Sequence, residues 1–336
     1  MIIDSIKKVL AGENLSFRDA EETMDFIMDG NATNAQIAGL LVALKMKKEV
    51  SDEVAGFVQS MRNHSNKIVL RDAYAVDGCG TGGDGKDSFN VSTAAAIVTA
   101  GCGVTVAKHG NRSVSSKCGS SDLLEKTGAN LDCPPDKVEK IINEVGFGFM
   151  FAPLYHPAMK YAGPPRKELG VRTVFNILGP MTNPAAVKRQ VIGVYDKSLM
   201  MLMAEVLQKT GSEHIMIAHA HDGMDEFSIS APTDYVELKD GNIDCGLLTP
   251  EDVGLTMYGE DALLGGDADE NVSILNKVLT GEKSAYRDAV ALNAGAMIYV
   301  SGKAALIKDA VELALQAIDS GAAKQKLDEW IRATQD

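Results

Sequence analysis

The sequence predicts an α/β protein, with a small N-terminal helical domain and a large α/β domain whose central sheet is flanked by helices. Residues 1–70 contain short stretches with apolar residues at helical spacing, separated by helix start and stop signals. From about Tyr74, short apolar runs alternate with helices and glycine-rich loops. We therefore place the two domains at residues 1–70 and 71–336, joined by a proline- and glycine-rich excursion of loops and short helices at about 155–184.

Three helices are predicted in the first domain, and each follows a hydroxyl side chain that can cap free backbone N–H groups: Ser16, Thr33 and Ser51. The first of them ends before Gly30. A small helical bundle would bury their apolar stripes. Stripes this apolar in so small a unit also allow a homodimer interface, and we expect a homodimer through this domain.

The large domain has apolar runs predicted as strands at 74–77, 104–107, 147–151, 190–195 and 214–219. A helix at 93–100 is predicted between Ser92 as cap and Gly101 as stop, and another at 135–145 starts after Pro134. From about Asn271 the chain is predicted to be helix-rich, with stop signals at Gly281, Gly295 and Gly302.

Charge and cysteine content exclude several kinds of partner. The 336 residues include 46 acidic and 33 basic side chains, a net charge of −13 that would repel nucleic acid or an anionic membrane surface. The apolar stretch at 94–107 is shorter than the roughly 20 residues that span a bilayer. Five cysteines without a CxxC pair indicate neither a disulfide framework nor a zinc site. We expect a cytoplasmic protein that binds neither nucleic acid nor membrane.

A glycine-rich loop follows the first predicted strand, with glycines at 78, 80, 82, 83 and 85, and residues 88–93 then lead into the helix predicted at 93–100. Closely spaced glycines let backbone N–H groups approach an anion, and the start of a helix adds donors and a favourable dipole. The loop is therefore predicted to hold phosphate, the alternative being a flexible loop without a ligand.

Two familiar phosphate motifs do not fit this loop. A dinucleotide site would need an acidic residue about 20 positions after the glycines, where Lys108 and His109 stand instead. A P-loop would need a hydroxyl side chain after Lys86, where the sequence has Asp87.

A second polar loop, from Lys108 to Ser116, follows the next strand and offers two cations, an imidazole, an amide and three hydroxyls. These groups suit a phosphate and sugar hydroxyls, although Asp122 and Glu125 beyond the loop resemble a local capping pair. Because both loops follow successive strands, we expect them side by side at the carboxyl ends of the sheet.

A third cluster, Asp225 and Glu226, follows the apolar run at 215–218. Adjacent carboxylates at the end of a strand are good ligands for magnesium that bridges to substrate phosphates. Taken in isolation, the pair is more typical of an ordinary acidic surface.

The motifs together resemble the anthranilate phosphoribosyltransferase family, in the family's order and over about 150 residues. The matching segments are GTGGD at 80–84, NVST at 90–93, KHGNRSVSS at 108–116, HPAM at 156–159, RKELGVRTVFNILGPMTNP at 166–184 and DGMDE at 222–226. The resemblance implies transfer of a 5-phosphoribosyl group from phosphoribosyl pyrophosphate (PRPP) to the amino nitrogen of anthranilate, with release of pyrophosphate, in tryptophan biosynthesis. It also implies Mg²⁺ as cofactor, with two ions expected.

The resemblance assigns roles residue by residue. PRPP is expected at Gly80, Gly83, Asp84, Ser88, Asn90, Val91, Ser92, Thr93, Lys108, His109, Gly110, Asn111, Arg112, Ser113, Val114, Ser115, Ser116 and Ser120. Metal ligands are expected at Ser92, Asp225 and Glu226. Anthranilate is expected at Gly80, Asn111 and Arg166, with His109 and His156 lining its access. No residue is assigned as a general acid or base.

Arg166 has a simple physical role in this scheme, because its guanidinium can pair with the anthranilate carboxylate. Three positions depart from the family pattern: Ser121 replaces an expected alanine, Ala220 a common glycine, and Pro165 a small aliphatic residue. None removes a proposed contact, but Ala220 could alter the geometry of the acidic loop, as we call the segment at 222–226 that carries Asp225 and Glu226.

Two alternative functions were considered against this one, another enzyme and a binding protein without activity. A pyrimidine nucleoside phosphorylase has a similar architecture, but the segment 166–184 and the carboxylates at 225 and 226 argue against it. A noncatalytic relative that binds nucleic acid is disfavoured by the acidic charge and by the complete set of PRPP motifs.

Overall fold

A computed structural model describes residues 2–112 and 117–335. This part of the chain contains fifteen α-helices and one seven-stranded sheet. None of its helices combines the length and the apolar character needed to cross a membrane. The predicted fold class, an N-terminal helical domain followed by an α/β domain, is confirmed.

Four helices form the N-terminal part: α1 Ile2–Leu10, α2 Phe17–Met28, α3 Asn34–Lys47 and α4 Ser51–Asn63. Ser16 and Thr33 cap α2 and α3 as predicted, each accepting a hydrogen bond from a backbone N–H in the first turn. The prediction for Ser51 was wrong. Helix α4 already includes Ser51, and the Glu53 carboxylate accepts from the N–H of the preceding Val50.

The sheet contains β1 Val76–Gly80, β2 Val106–Gly110, β3 Phe147–Phe151, β4 Arg189–Gly193, β5 His214–Ala220, β6 Thr233–Lys239 and β7 Asn242–Leu248. Their order is β3-β2-β1-β4-β5-β6-β7. The first five of these strands in sheet order run parallel, while β6 and β7 are antiparallel additions at the edge. The strands predicted from Tyr74 and Val104 begin two residues later than expected.

The remaining helices are α5 Val91–Gly101, α6 Ser120–Lys126, α7 Pro135–Val145, α8 Ala152–Tyr155, α9 Met159–Leu169, α10 Phe175–Met181, α11 Met200–Lys209, α12 Ala268–Leu279, α13 Ala285–Val300, α14 Ile307–Asp319 and α15 Ala322–Gln335. Short 3₁₀ helices occur at Lys197–Leu199, Pro250–Val253 and Glu260–Leu263. One core, with Ile97, Met297 and Trp330, lies between the sheet and the C-terminal helices. A second core joins the other face to α11 and the N-terminal helices.

Two further predictions about helix ends, Ser92 as a cap and Gly295 as a stop, were wrong. Helix α5 starts at Val91, so that Asn90 rather than Ser92 occupies the position before the helix. Gly295 does not stop a helix but lies inside α13, where a side chain would collide with Val311 of α14. The glycine serves close helix packing, which a sequence pattern does not distinguish from a stop.

The sheet has a topological switch between β1 and β4. From β1 the chain proceeds through β2 and β3 on one side of the sheet, and it then returns to place β4 on the other side. Ligands of open α/β sheets bind at the carboxyl ends of the strands beside such a switch. The glycine loop after β1 stands at this point.

Candidate active site

The glycine loop is bonded to the end of β4 and to the acidic loop. Thr81 donates its backbone N–H to the carbonyl of Gly193 at 2.9 Å. The next residue, Gly82, donates its N–H to Oδ2 of Asp225 at 2.7 Å. A side chain on Gly80 would collide with the Asp225 carboxylate, so the close approach requires glycine there. The first and third predicted loops therefore meet.

The start of α5 also faces the acidic loop. The backbone N–H of Ser92 donates to Oε1 of Glu226 at 3.2 Å, which places a carboxylate at the positive end of the helix. Asn90 is held by Cys118 and Asn271 at 3.0 Å each. Ser88 is half-buried, whereas the side chains of Val91 and Thr93 lie in the core, so any ligand contact from these last two would have to come from their backbone.

Burial raises the pKa of both acidic-loop carboxyls. The pKa of Glu226 rises to about 7, and that of Asp225 rises well above its usual value, first through burial and then through the adjacent Glu226. Oδ2 of the nearby Asp84 is buried without a partner in the described structure. The Lys108 charge opposes this rise at Glu226 but does not cancel it. Neighbouring buried carboxylate oxygens are a donor set that fits Mg²⁺.

A buried polar network beneath the loops was not predicted. Lys108 extends from β2 and donates from Nζ to the carbonyl of Gly78 at 2.5 Å. Asp77 of β1 accepts from the backbone N–H of His109 at 3.2 Å and from Nδ2 of Asn183 at 2.8 Å. Burial raises the pKa of Asp77, an effect that the Lys108 charge opposes. These bonds fix the second loop relative to the first.

The described part of the second loop is tied to α6. Arg112 pairs with Asp122 at 2.9 Å and with Glu125 at 2.7 Å. Asp122 also accepts from Gly119 N–H, so one half of the expected capping pair caps the helix while Glu125 instead binds Arg112. The carbonyl of Asn111 accepts from Ser120 Oγ at 3.1 Å, beside Gly110 at the end of β2. Ser113, Val114, Ser115 and Ser116 lie outside the described residues.

His109 and His156 form a neutral pair. Their rings lie 5.1 Å apart, and burial lowers the pKa of His109 to about 3 and that of His156 to about 4. A backbone carbonyl, that of Gly179 for His109 and that of Thr182 for His156, opposes this lowering of the pKa, and each Nε2 is buried without a partner in the described structure. A neutral imidazole that donates from Nδ1 to such a carbonyl has Nε2 as its acceptor.

Arg166 lies near the end of α9, with its guanidinium 4.9 Å from the ring centre of Phe175. Burial alone lowers its pKa, and no described carboxylate offsets that shift. The arginine is thus a half-buried cation that is free to pair with an acidic ligand.

Of the three departures from the family pattern, Ala220 needs no special backbone conformation. Ala220 ends β5 in regular pairing with Thr233, and its backbone does not adopt the positive φ that would call for glycine. Ser121 and Pro165 are buried in helices α6 and α9. The hydroxyl of Ser121 has no partner in the described structure.

The same division into a helical part and an α/β part defines a class of transferases. Residues 3–65 match the model of the glycosyl transferase family helical bundle domain, and residues 72–324 match that of the glycosyl transferase family a/b domain. The chain is therefore a glycosyltransferase of this two-part architecture.

Individual relatives narrow the class. An anthranilate phosphoribosyltransferase of Moorella thermoacetica is 48% identical, with 98% of each chain covered. The crystal structure of the Thermus thermophilus enzyme of that name superposes with a TM-score of 0.95 at 42% identity, covering 99% of this chain and 100% of that one. The Saccharomyces cerevisiae enzyme in complex with PRPP and Mg has a TM-score of 0.91 at 28% identity, with 99% and 98% covered. The chain belongs to the anthranilate phosphoribosyltransferase family.

Proposed function

We propose that the site transfers the 5-phosphoribosyl group of PRPP to the amino nitrogen of anthranilate and releases pyrophosphate, as a step of tryptophan biosynthesis. The observation that carries this proposal is the meeting of three loops at the β1–β4 switch, together with Arg166 on the adjoining segment, whose charge no carboxylate among the described residues offsets. Those loops provide backbone donors for phosphate and carboxylates for a metal. Arg166 provides the counter-charge for an acidic acceptor.

PRPP would be held by the glycine loop, the start of α5 and the second loop. The proposed residues are Gly80, Gly83, Asp84, Ser88, Asn90, Val91, Ser92, Thr93, Lys108, His109, Gly110, Asn111, Arg112, Ser113, Val114, Ser115, Ser116 and Ser120. In the described structure Arg112 is committed to Asp122 and Glu125, so its contact with PRPP requires exchange of one of these ion pairs.

Magnesium would be held by Ser92, Asp225 and Glu226, and we propose two ions. No three His, Cys, Asp or Glu side chains within residues 2–112 and 117–335 converge into a closed metal site. The proposal rests instead on the adjacent carboxylates of Asp225 and Glu226, because Mg²⁺ commonly takes one or two protein carboxylates and completes its shell with water and substrate phosphates. When bound, the metal would offset negative charge on pyrophosphate.

Anthranilate would contact Gly80, Asn111 and Arg166, with His109 and His156 beside it. Arg166 would pair with the carboxylate. As acceptors, the two Nε2 atoms would suit the N–H groups of an arylamine, and that contact would satisfy buried atoms that lack a partner among the described residues. Both histidines are neutral at pH 7, so they can orient the amine without repelling a cationic centre at the sugar.

Catalysis would rest on positioning and electrostatics. The glycine-loop amides would stabilise charge on the departing pyrophosphate while a cationic ribosyl transition state develops. The amino group would attack C1 from the opposite face. Because an arylamine is neutral at pH 7, the attack needs no strong base, and none is assigned. The N–H proton of the acidic arylammonium formed by the attack would pass to water or to the released pyrophosphate.

The metal assignment is tested by combining Asp225→Asn with Glu226→Gln. Both changes keep the shape of the side chains and remove their charge. Turnover of PRPP should fall by at least about a hundredfold and require far more magnesium, since electrostatic stabilisation of that size is lost when such groups are removed. The control is Asp240→Asn, an exposed acid in the β6–β7 turn. Unchanged PRPP turnover and magnesium dependence in the double variant would refute the assignment.

A homodimer through the helical domain is part of the proposal. Ile3, Leu10, Val42 and Met46 are 53%, 71%, 38% and 81% exposed on the neighbouring helices α1 and α3. A second copy would cover these side chains. Sedimentation of the wild type and of Leu10→Lys combined with Met46→Lys should give a dimer and a monomer; a monomeric wild type would refute the dimer.

We also propose that the domains comprise residues 1–70 and 71–336. The protein is proposed to be located in the cytoplasm. All five cysteines are free thiols, which fits a reducing compartment.

A further inference from the structure

Arg172 connects the segment at 155–184 to the glycine loop. Its Nη2 donates to the carbonyl of Gly83, and its guanidinium lies over the ring of Tyr195, 4.0 Å from the ring centre. The side chain is exposed, so it does not fill a core. None of the roles assigned above uses this arginine.

Tyr195 also contacts the beginning of the glycine loop. It lies two residues after β4, and its backbone N–H donates to Oγ1 of Thr81 at 3.2 Å. Thr81 is itself bonded to Gly193 at the end of β4. The Arg172–Tyr195 pair is therefore hydrogen-bonded to the glycine loop at Gly83 and at Thr81, and Asp225 binds Gly82 between them.

The contact at Gly83 fixes the direction of a peptide group. A trans peptide is planar, so a carbonyl that points towards Arg172 makes the N–H of Asp84 point the opposite way. Gly82, Gly83 and Gly85 all have positive φ, a region in which glycine moves freely. Without an anchor, the Gly83–Asp84 peptide could rotate and withdraw its N–H from an anion.

We propose that Arg172 is a positioning residue for the pyrophosphate-binding loop. It holds the Gly83–Asp84 peptide in the orientation that presents the Asp84 N–H to the leaving group, and the stack on Tyr195 fixes the guanidinium for that task. This role rests on the proposed function and deepens it. It predicts an effect on PRPP and on the rate of transfer, with little effect on the affinity for the acceptor.

Four variants test the proposal: Arg172→Ala, Arg172→Lys, Tyr195→Leu and the control Lys160→Ala. Lys160 is an exposed cation on the same segment that lies 4.9 Å from the ring centre of Tyr161. KM for PRPP, KM for anthranilate, kcat and Tm are measured for each at saturating magnesium.

Arg172→Ala should raise KM for PRPP roughly tenfold and lower kcat, as expected when a hydrogen bond from a charged donor is lost. KM for anthranilate should change by less than about twofold and Tm by less than a few degrees, because the side chain is exposed. Arg172→Lys should restore only part of the PRPP affinity and of kcat, since an ammonium group cannot stack on the Tyr195 ring as a planar guanidinium does. The KM for PRPP and the kcat of Tyr195→Leu should lie between those of Arg172→Ala and of the wild type. Lys160→Ala should have the wild-type values.

An unchanged KM for PRPP in Arg172→Ala would overturn the proposal. Full activity of Arg172→Lys would also overturn it, because charge alone would then suffice. Equal increases in both KM values would indicate general damage instead of loop positioning. Failure of the proposed function would look different, since the wild type would then consume no PRPP at all.

Discussion

The backbone N–H of Gly82 and Oδ2 of Asp225 are hydrogen-bonded at 2.7 Å although 143 positions separate them in the chain. The bond joins the loop assigned to pyrophosphate with the loop assigned to the metal. Any change that moves the Asp225 carboxylate should therefore disturb both parts of the site together.

Gly80→Ala should abolish most PRPP turnover. The added methyl group would collide with the Asp225 carboxylate and push it away from Gly82. The expected loss in kcat/KM for PRPP is at least about a hundredfold, since displacing a preorganised charge costs this much in other sites. Steady-state pyrophosphate release measures it.

The matched control for this change is Gly39→Ala, because that glycine lies within α3 with open space around it and is expected to tolerate a methyl group. Wild-type turnover in Gly80→Ala would show that the contact between the two loops is dispensable.

His156→Gln should make stability less sensitive to acid. The pKa of His156 is about 4 in the folded protein and about 6.5 in an unfolded chain, so the unfolded state binds more protons between these values. The wild type should lose about 2 kcal/mol of unfolding free energy from this group between pH 7 and pH 5, and the variant should not. Urea unfolding at both pH values measures the difference.

The exposed His221→Gln serves as control and should retain the wild-type loss on acidification. If His156→Gln lost as much stability as the wild type between these pH values, the buried neutral histidine would be ruled out as the cause.

Arg62→Met should destabilise the junction between the helical part and the rest of the chain. Arg62 of α4 donates to the carbonyls of Met181 and Thr210, at the ends of α10 and α11, at 3.0 and 3.1 Å. Burial lowers its pKa to about 10. Leaving the two carbonyls unpaired should cost about 2 to 4 kcal/mol of unfolding free energy in urea.

Arg18→Met removes an arginine whose ion pair with Glu22 lies at the surface, and it should leave the free energy of unfolding nearly unchanged. Equal effects of the Arg62 and Arg18 changes would contradict a special role for Arg62 at the junction.

The parallel strands could be predicted because a short apolar run lies in or just before each of them, the pattern of strands buried on both faces. The ends of β1 and β2 hold glycine and polar residues, so the bounds of these two strands were placed too early. The hairpin of β6 and β7 was missed because acidic and basic residues interrupt its apolar positions at the edge of the sheet. Its signal was the Asp240-Gly241 turn between two alternating stretches, which is typical of a tight hairpin.

The three loops of the candidate site were also visible in the sequence, because glycines and polar side chains concentrate after strands. Asp77 and Asn183 were not predicted. They are 106 positions apart, and a single aspartate within an apolar strand gives no indication of its partner. Arg172 was not predicted as a site residue either. Its contacts with Gly83 and Tyr195 join residues that are distant in sequence, and they depend on how the segment at 155–184 packs against the sheet.

The central claim is tested most directly by following pyrophosphate release from PRPP and the fluorescence of anthranilate in one magnesium-containing reaction. The wild type should consume PRPP and anthranilate in equal amounts. Arg166→Ala should raise KM for anthranilate roughly tenfold or more through loss of the carboxylate pair, while Lys167→Ala, an exposed cation beside it, should behave as the wild type. Consumption of neither substrate by the wild type, or an Arg166→Ala variant with unchanged KM for anthranilate, would contradict the account.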